Sequence, residues 1–189
     1  MLILASASPR RSELLKKLGV PFDVIPSAAE ETHDENLTAG EVCQINAYRK
    51  ARSIAKKHPN AIVLGMDTLV ADGQKLYGKP ATNEEAERML LELSGKTHRV
   101  VTAVCILQIQ PYRQSLFFEN TNVTFKELSR EAIRRYHSKI NPFDKAGGYA
   151  IQEQGDDIVE KISGSYSNVV GLPMERLERE LTSFMGAPA

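Results

Sequence analysis

Apolar residues along the chain fall into short runs whose spacing is typical of strands. A buried strand is a near-continuous apolar run, whereas a half-buried strand alternates apolar with polar residues. On these patterns the sequence predicts strands at residues 2–5, 22–25, 61–66, 69–71, 75–77, 100–109, 115–125 and 158–162. Asp72 and Gly73 form a hairpin signal, and we expect 100–109 and 115–125 to pair around Pro111.

Helical spacing and capping residues predict five helices. Ser8 followed by Pro9 marks the first N-terminus, while Thr38 and Thr82 each stand three residues before a glutamate, as in a capping box. Ser129 caps a further helix. The predicted helices cover residues 9–18, 39–57, 83–94, 130–138 and 173–185.

The order of these elements predicts the fold class. Strands and helices alternate early in the chain and hairpins follow later, so we expect an α/β domain with a mixed sheet. The chain has 189 residues, close to the size of one ordinary domain, and no linker, repeat or low-complexity segment divides it. We therefore predict a single domain over residues 1–189, with a glycine-rich loop and strand at 141–155.

Composition and charge narrow the class of protein. Hydrophobic residues make up 42% of the chain and charged residues 25%, which excludes a disordered tail, a collagen-like chain and a coiled-coil rod. The 24 basic and 24 acidic residues cancel, so net charge does not favour nucleic acid as a partner. Cys43 and Cys105 fall in a predicted helix and strand, and we expect both in the core.

Two further patterns concern cellular location. The N-terminal apolar run precedes its positive charges, which is the reverse of a secretory signal. The longest apolar stretch, residues 61–71, contains Asp67 and is too short to span a bilayer. We expect a cytoplasmic protein without a membrane partner.

The first candidate site lies between the first strand and the first helix, where Ser8, Arg10 and Arg11 follow one another closely. A helix N-terminus attracts anions, whereas arginines in the first turn disfavour the helix itself. This combination indicates a phosphate-binding end. Two solvated surface arginines would produce the same pattern.

The second candidate is Asp67, which we expect to end the strand at 61–66, where α/β sheets place their ligands. A carboxylate there can hold Mg²⁺ or act as a general base, and it can also simply start a turn. A nearby acidic loop offers a second metal ligand, unless its side chains are only solvated. The acidic residues of that loop are Glu30, Glu31, Asp34 and Glu35.

Three further residues carry weaker signals. Residues 73–79 have the spacing of a phosphate-binding P-loop, but Pro80 stands where Ser or Thr is required, so we reject that motif. Lys79 remains able to contact a phosphate. Lys50 is by its spacing a surface lysine of a helix, and Gln152 offers an amide that can bind a base edge.

Taken in chain order, these motifs resemble the Maf family of nucleoside triphosphate pyrophosphatases. The resemblance implies a Maf/Ham1-like fold, an elongated α/β domain in which helices flank a twisted mixed β-sheet and a cleft separates two lobes. It extends over nearly the whole chain. The matching stretches are LASASPRRSELLKKLG, Glu31-Thr32, Lys50-Ala51, GMDTLV, GKP, LSGKTHRVVT, PFDKAGGYAIQ and ISGSYSNVVGLP.

The resemblance also implies hydrolysis of a nucleoside triphosphate to NMP and pyrophosphate, with Mg²⁺ or Mn²⁺ as cofactor. Glu31 and Asp67 would hold the metal, and Asp67 would orient or deprotonate the attacking water. Lys50 and Lys79 would neutralise phosphate charge. With these four, the residues assigned to the site are Ser8, Arg10 and Arg11 on the triphosphate, and Thr68 and Gln152 near the base or phosphates.

Within the family, Arg10, Arg11, Thr68 and Gln152 together resemble the branch that prefers dTTP and UTP. Glu153 follows Gln152 where the family usually has a glycine. The alternatives are the same reaction on another base, such as 7-methyl-GTP, and a non-catalytic nucleotide-binding regulator of cell division. The resemblance also allows a homodimer.

Overall fold

The computed structural model describes residues 1–34 and 36–186. Within this part of the chain, seven strands form one sheet. The strands are β1 Leu2–Leu4, β2 Asp23–Val24, β3 Ile62–Asp72, β4 Lys75–Tyr77, β5 Thr97–Gln108, β6 Arg113–Phe125 and β7 Val159–Ser163. Their order is β2-β1-β3-β5-β6-β7, and β4 pairs with β3. Since β1 is parallel to β2 and β3 while the other pairs are antiparallel, the predicted mixed sheet is confirmed.

Helices flank this sheet, and all five that the sequence predicts are present. In the described residues the helices are α1 Pro9–Lys16, α2 Ala39–Ala55, α3 Asn83–Leu93, α4 Arg130–His137, α5 Tyr166–Val170 and α6 Met174–Gly186. The short α5 was not predicted, because its five residues are too few to show a helical period. None of these helices combines the length and apolar composition that crossing a membrane requires.

The largest correction concerns β3. The sequence predicts a strand that ends before Asp67, but β3 continues without a break to Asp72 and places Asp67 in its middle. The prediction was wrong because an acid usually interrupts an apolar strand. Here β5 pairs with β3 on both sides of Asp67, from Val63 to Ala71, and supports the backbone through that position.

The two faces of β3 pack against different helices. Val63, Leu69 and Ala71 join the apolar cluster of α2, whereas Leu64 and Met66 join that of α1 and α6. Successive side chains of a strand point to opposite faces. Asp67 therefore shares the α2 face, and the neighbouring Thr68 lies on the other face.

Gly65 lets α2 approach β3 closely. A side-chain carbon at this position would overlap the Ala47 carbonyl oxygen and the Ala51 backbone nitrogen of α2. The α2 backbone thus lies directly on the strand, two residues before Asp67. Cys43 on α2 and Cys105 on β5 are both buried in the same core, as expected.

Local details differ from prediction at three places. Thr38 forms the complete capping box, but the Glu85 carboxylate accepts from the backbone of Ala81 rather than of Thr82. Ser8 precedes α1 without a capping hydrogen bond from its side chain. The segment 141–157 forms three 3₁₀ turns, at 142–144, 146–148 and 155–157, and within it the predicted strand is absent. Of the acidic loop, Glu35 lies outside the described residues.

Candidate active site

Two adjoining pockets form a cleft over the middle of β3. Together with space that is open to solvent, they enclose about 710 and 690 Å³. Ser8, Arg10, Lys50 and Lys79 line both pockets and so join them. The structure brings together in this cleft all nine residues assigned from the sequence, namely Ser8, Arg10, Arg11, Glu31, Lys50, Asp67, Thr68, Lys79 and Gln152.

At the centre of the cleft an ammonium group lies between two carboxylates. Lys50 Nζ is 2.6 Å from Glu31 Oε1 and 2.7 Å from Asp67 Oδ1. Lys50 comes from α2, which lies close to β3 because of Gly65, and its side chain is mostly buried. It is therefore a central residue of the site, and the interpretation of Lys50 as a surface lysine, which its helical spacing favours, was wrong.

Asn46 fixes the other side of Asp67. Its Nδ2 donates to Asp67 Oδ2 at 3.0 Å and to the Thr32 carbonyl at 3.1 Å, and its Oδ1 accepts from the Thr32 backbone N–H at 2.8 Å. Asn46 is 1% exposed and Asp67 6% exposed. The amide thus ties the loop that carries Glu31 to the strand that carries Asp67. The sequence analysis missed this residue.

Two opposing effects set the ionisation of Glu31. Burial by itself would raise the pKa of its carboxyl group, but the hydrogen bond from Lys50, with the charges of Lys50, Lys79 and His33, outweighs burial and lowers the pKa. Glu31 is therefore held as a carboxylate. Lys79 lies exposed at the edge of both pockets, close enough to contribute to this field.

The two arginines of α1 differ in their contacts. Arg11 is largely occupied by the protein itself, since it donates to the Gly171 carbonyl at 2.9 Å, to Thr68 Oγ1 at 2.9 Å, and at longer range to Ser6 and Met66. Burial lowers its pKa below the usual value of an arginine, while the charge of Asp67 opposes that effect. Arg11 thus forms part of the floor of the cleft.

Arg10 faces the opposite wall of the cleft. Its Nη1 donates to Asp144 Oδ2 at 2.7 Å and its Nη2 to the Asp144 carbonyl at 3.0 Å. Asp144 and Lys145 belong to the PFDKAGGYAIQ stretch, but the sequence analysis gave neither a role. Motif membership was the only signal that could have found them.

Thr68 is positioned by a chain of hydroxyl groups. Its Oγ1 lies 3.0 Å from Thr102 Oγ1, and Thr102 in turn donates to the Asn168 carbonyl of α5 at 3.0 Å. The unpredicted α5 therefore supports the floor of the cleft. Gln152 lies exposed at the far end, beside Ile151, Tyr149 and Val100, so that end combines one amide with apolar surface.

Glu31 and Asp67 offer the carboxylate oxygens that hard divalent cations prefer, and both contact Lys50. Among the residues that the structure describes, no group of three or more His, Cys, Asp or Glu side chains could hold a metal ion. Mg²⁺ and similar ions are commonly bound by one or two carboxylates together with water and substrate phosphates. Asp67 accepts one protein donor on each oxygen and keeps further lone pairs.

The mixed sheet, the cation-lined cleft and the paired acids define the protein as an α/β enzyme. Within that class the chain belongs to the Maf family, since the family model described as Maf-like protein matches residues 1–184. The chain is 45% identical to a dTTP/UTP pyrophosphatase of Bacillus cereus over 183 residues, 97% of this chain and 95% of that protein. It is 43% identical to a dTTP/UTP pyrophosphatase of Acetivibrio thermocellus over 190 residues, 97% of this chain and 94% of that protein.

Proposed function

We propose that this protein hydrolyses dTTP and UTP to the nucleoside monophosphate and pyrophosphate. One observation carries the proposal: Lys50 lies between Glu31 and Asp67 in a cleft that also presents Arg10 and Lys79. Cations neutralise the charge of a triphosphate, and one or two carboxylates commonly hold a divalent metal beside it. A protein that only bound nucleotides would not need the two acids.

The positions of these groups support the following reaction. The oxygen of a water molecule attacks the α-phosphorus, the bond from that phosphorus to the bridging oxygen breaks, and pyrophosphate leaves. Asp67 orients the water and accepts its proton. Lys50 keeps Asp67 and Glu31 in place by its two short contacts, and it balances their charge before substrate arrives.

Glu31 and Asp67 would hold Mg²⁺ or Mn²⁺. The ion would place positive charge beside the phosphate oxygens and lower the pKa of a water molecule bound to it. Arg10 and Lys79 neutralise the negative charge that moves onto the leaving pyrophosphate. Ser8 and the backbone at the start of α1 face the same region, where a helix N-terminus favours anions. Arg11, whose donors are occupied by the protein, contributes charge and shape more than direct hydrogen bonds.

The base preference is proposed from the far end of the cleft. Gln152 offers one amide donor and one acceptor, which suits the edge of uracil or thymine, and Val100, Tyr149 and Ile151 supply apolar surface for the ring. The names of the related proteins in Bacillus cereus and Acetivibrio thermocellus support the same preference. We also propose that the enzyme acts in the cytoplasm and forms a homodimer, without nucleic acid as a partner.

The test is a hydrolysis panel with dTTP, UTP, CTP, GTP, ATP and 7-methyl-GTP. Each is incubated with Mg²⁺, Mn²⁺ or EDTA, and the products are identified as NMP with pyrophosphate or NDP with phosphate. The variant Asp67→Asn, purified in parallel, controls for contaminating phosphatases.

We expect NMP and pyrophosphate from dTTP and UTP, and none with EDTA or with the variant. Turnover of 7-methyl-GTP alone would support the proposed reaction but contradict the proposed base preference. Nucleotide binding without turnover of any substrate would favour a regulatory protein instead.

A further inference from the structure

Four alternating charges cross the cleft between α1 and the loop that carries Gln152. Arg10 pairs with Asp144 at 2.7 Å, Asp144 with Lys145 at 2.8 Å, and Lys145 with Glu153 at 3.3 Å. We call this set the charge chain. It joins residues that are far apart in the sequence, and its two ends lie beside the proposed phosphate-binding and base-binding regions.

Asp144 holds Arg10 by one edge only. The carboxylate and the backbone carbonyl of Asp144 each accept one N–H of the guanidinium group, at 2.7 and 3.0 Å. A guanidinium group has five N–H donors in a fixed plane, so the two contacts with Asp144 leave three of them uninvolved. Arg10 lines both pockets of the cleft. The contact therefore orients Arg10 without using up its capacity for phosphate.

Lys145 holds Asp144 in turn. It is 5% exposed, and its ammonium group donates to the Asn141 carbonyl at 2.7 Å and to Asp144 Oδ1 at 2.8 Å, with Glu153 Oε1 as a third partner. An ammonium group has three donors. Two of them make hydrogen bonds here, and the carboxylate of Glu153 adds an ion pair at 3.3 Å. The desolvation cost of a buried cation must be offset by such partners, so the partners of Lys145 are held in place.

Glu153 connects the chain to the base end. It follows Gln152 directly, and its carboxylate reaches back to Lys145. The next residue, Gln154, has a left-handed backbone with φ of 57°. The side chain of Glu153 thus anchors a loop whose backbone turns sharply beside Gln152.

We propose that Asp144 is a positioning residue that orients Arg10 towards the triphosphate. Lys145 and Glu153 set the position of Asp144 relative to Gln152. The inference rests on the proposed function and adds to it. The charge chain links the position of the phosphate-binding arginine to that of the base-binding loop. In this proposal Asp144 acts through its contacts with Arg10.

The test uses inorganic tripolyphosphate, which has no base, as a binding probe beside dTTP. In Asp144→Asn, binding of tripolyphosphate weakens about tenfold, because a charged hydrogen bond that orients Arg10 is lost. KM for dTTP rises by a similar factor, and kcat also falls, because Arg10 neutralises charge on the leaving pyrophosphate. Asp157→Asn is the matched control, since Asp157 is 42% exposed against 45% for Asp144 and pairs with Lys139 away from the cleft.

Combination with Arg10→Ala separates positioning from a general loss of stability. Effects of independent sites multiply, whereas residues that act through one another do not. In the Arg10→Ala background, Asp144→Asn is expected to have no further effect on tripolyphosphate binding. Glu153→Gln provides a second and milder variant of the same chain, with a smaller loss of affinity that Arg10→Ala also removes.

Two results would overturn the inference while the proposed function stands. Asp144→Asn could bind tripolyphosphate as tightly as the wild type or more tightly, which would make the ion pair neutral or competitive with substrate. The effects of Asp144→Asn and Arg10→Ala could also simply multiply. A wild-type protein that binds tripolyphosphate but hydrolyses no nucleotide would end the proposed function, and the binding comparison would still decide the role of Asp144.

Discussion

At the scale of single residues, the site depends on how Asp67 is held. Lys50 binds one carboxylate oxygen at 2.7 Å and Asn46 the other at 3.0 Å, and the residue is 6% exposed. Asp67 is thus oriented before substrate binds, which is the condition for efficient proton transfer in a proposed general base.

Asp67→Asn is expected to reduce kcat for dTTP by on the order of 10²–10⁴, because the amide cannot accept the proton of the attacking water. Binding of nucleotide without metal should largely survive, since Asn has nearly the same shape. Rapid product analysis and a separate binding titration measure the two effects. The control is Asp72→Asn, an acid at the end of the same strand that pairs loosely with Lys96. Unchanged turnover in Asp67→Asn would remove Asp67 from the proposed chemistry.

At the scale of elements, the approach of α2 to β3 brings the site together. The helix supplies Asn46 and Lys50 and the strand supplies Asp67, and Gly65 permits their contact. On the other side, the segment that carries Gln152 rests on β5 and β6 through Tyr149. The ring of Tyr149 packs edge-on against Phe125 and His98, at centroid distances of 4.8 and 5.5 Å.

Gly65→Ala is expected to destabilise the fold by about 1–3 kcal/mol, because the added methyl group would overlap the α2 backbone. Displacement of α2 also moves Lys50, so kcat should fall even at temperatures where the variant is folded. Chemical unfolding and activity assays measure both changes. Gly186→Ala is the control, since among the described residues, apart from its own helix backbone and chain neighbours, nothing lies within 4 Å of an added carbon there. Wild-type stability in Gly65→Ala would contradict the close packing.

His98 predicts how stability depends on pH. Burial lowers the pKa of this histidine to about 4, from 6.5 in the unfolded chain, and its Nε2 lies 2.6 Å from the Tyr149 hydroxyl. The folded state binds the proton of His98 more weakly than the unfolded chain does, so the neutral histidine stabilises the fold. This contribution to the free energy of unfolding is complete above pH 6.5 and is lost as the pH falls towards 4. Between about pH 7.5 and about pH 5 this loss amounts to about 2 kcal/mol.

The measurement is urea unfolding of wild type and His98→Gln at both pH values. The variant is expected to be less stable at neutral pH and to lose about 2 kcal/mol less on acidification. His58→Gln, outside this cluster, should follow the wild-type pH dependence. Identical slopes for His98→Gln and wild type would show that the histidine does not titrate as its burial implies.

At the scale of the whole molecule, Arg11 joins distant parts of the chain. From α1 it reaches Thr68 on β3 and the carbonyl of Gly171, which follows α5 and lies 160 residues further along. The cleft therefore has a floor made from the beginning, middle and end of the chain. The charge of Asp67 lies close enough to act on Arg11, so both the fold and the charge balance of the cleft depend on this residue.

Arg11→Ala is expected to lower kcat/KM for dTTP by about 10²-fold, because it removes a buried cation and leaves its acceptors without a donor. The melting temperature should also fall. Arg176→Ala is a suitable control, since Arg176 likewise donates to a backbone carbonyl, that of Phe118, but outside the cleft. An unaltered kcat/KM would exclude Arg11 from triphosphate recognition.

Features that depend on local interactions were predictable from the sequence, whereas features that depend on long-range contacts were not. Capping residues such as Thr38 and Ser129 act on the next turn of chain, so helix starts were predictable from the sequence. The continuation of β3 through Asp67 was not, because it depends on pairing with β5, more than thirty residues away. The helix α5 was missed for a related reason, since tertiary contacts of Asn168 with β5 and β6 hold it.

By itself the sequence determined the order of most elements and, through its ordered motifs, the nine residues that the structure brings into one cleft. The tertiary structure alone decided their partners. Asn46 binds Asp67 and Asp144 binds Arg10 because packing sets distances between residues far apart in the chain, which no local pattern encodes. The same packing made Lys50, on a helix whose spacing indicates a surface position, the centre of the site.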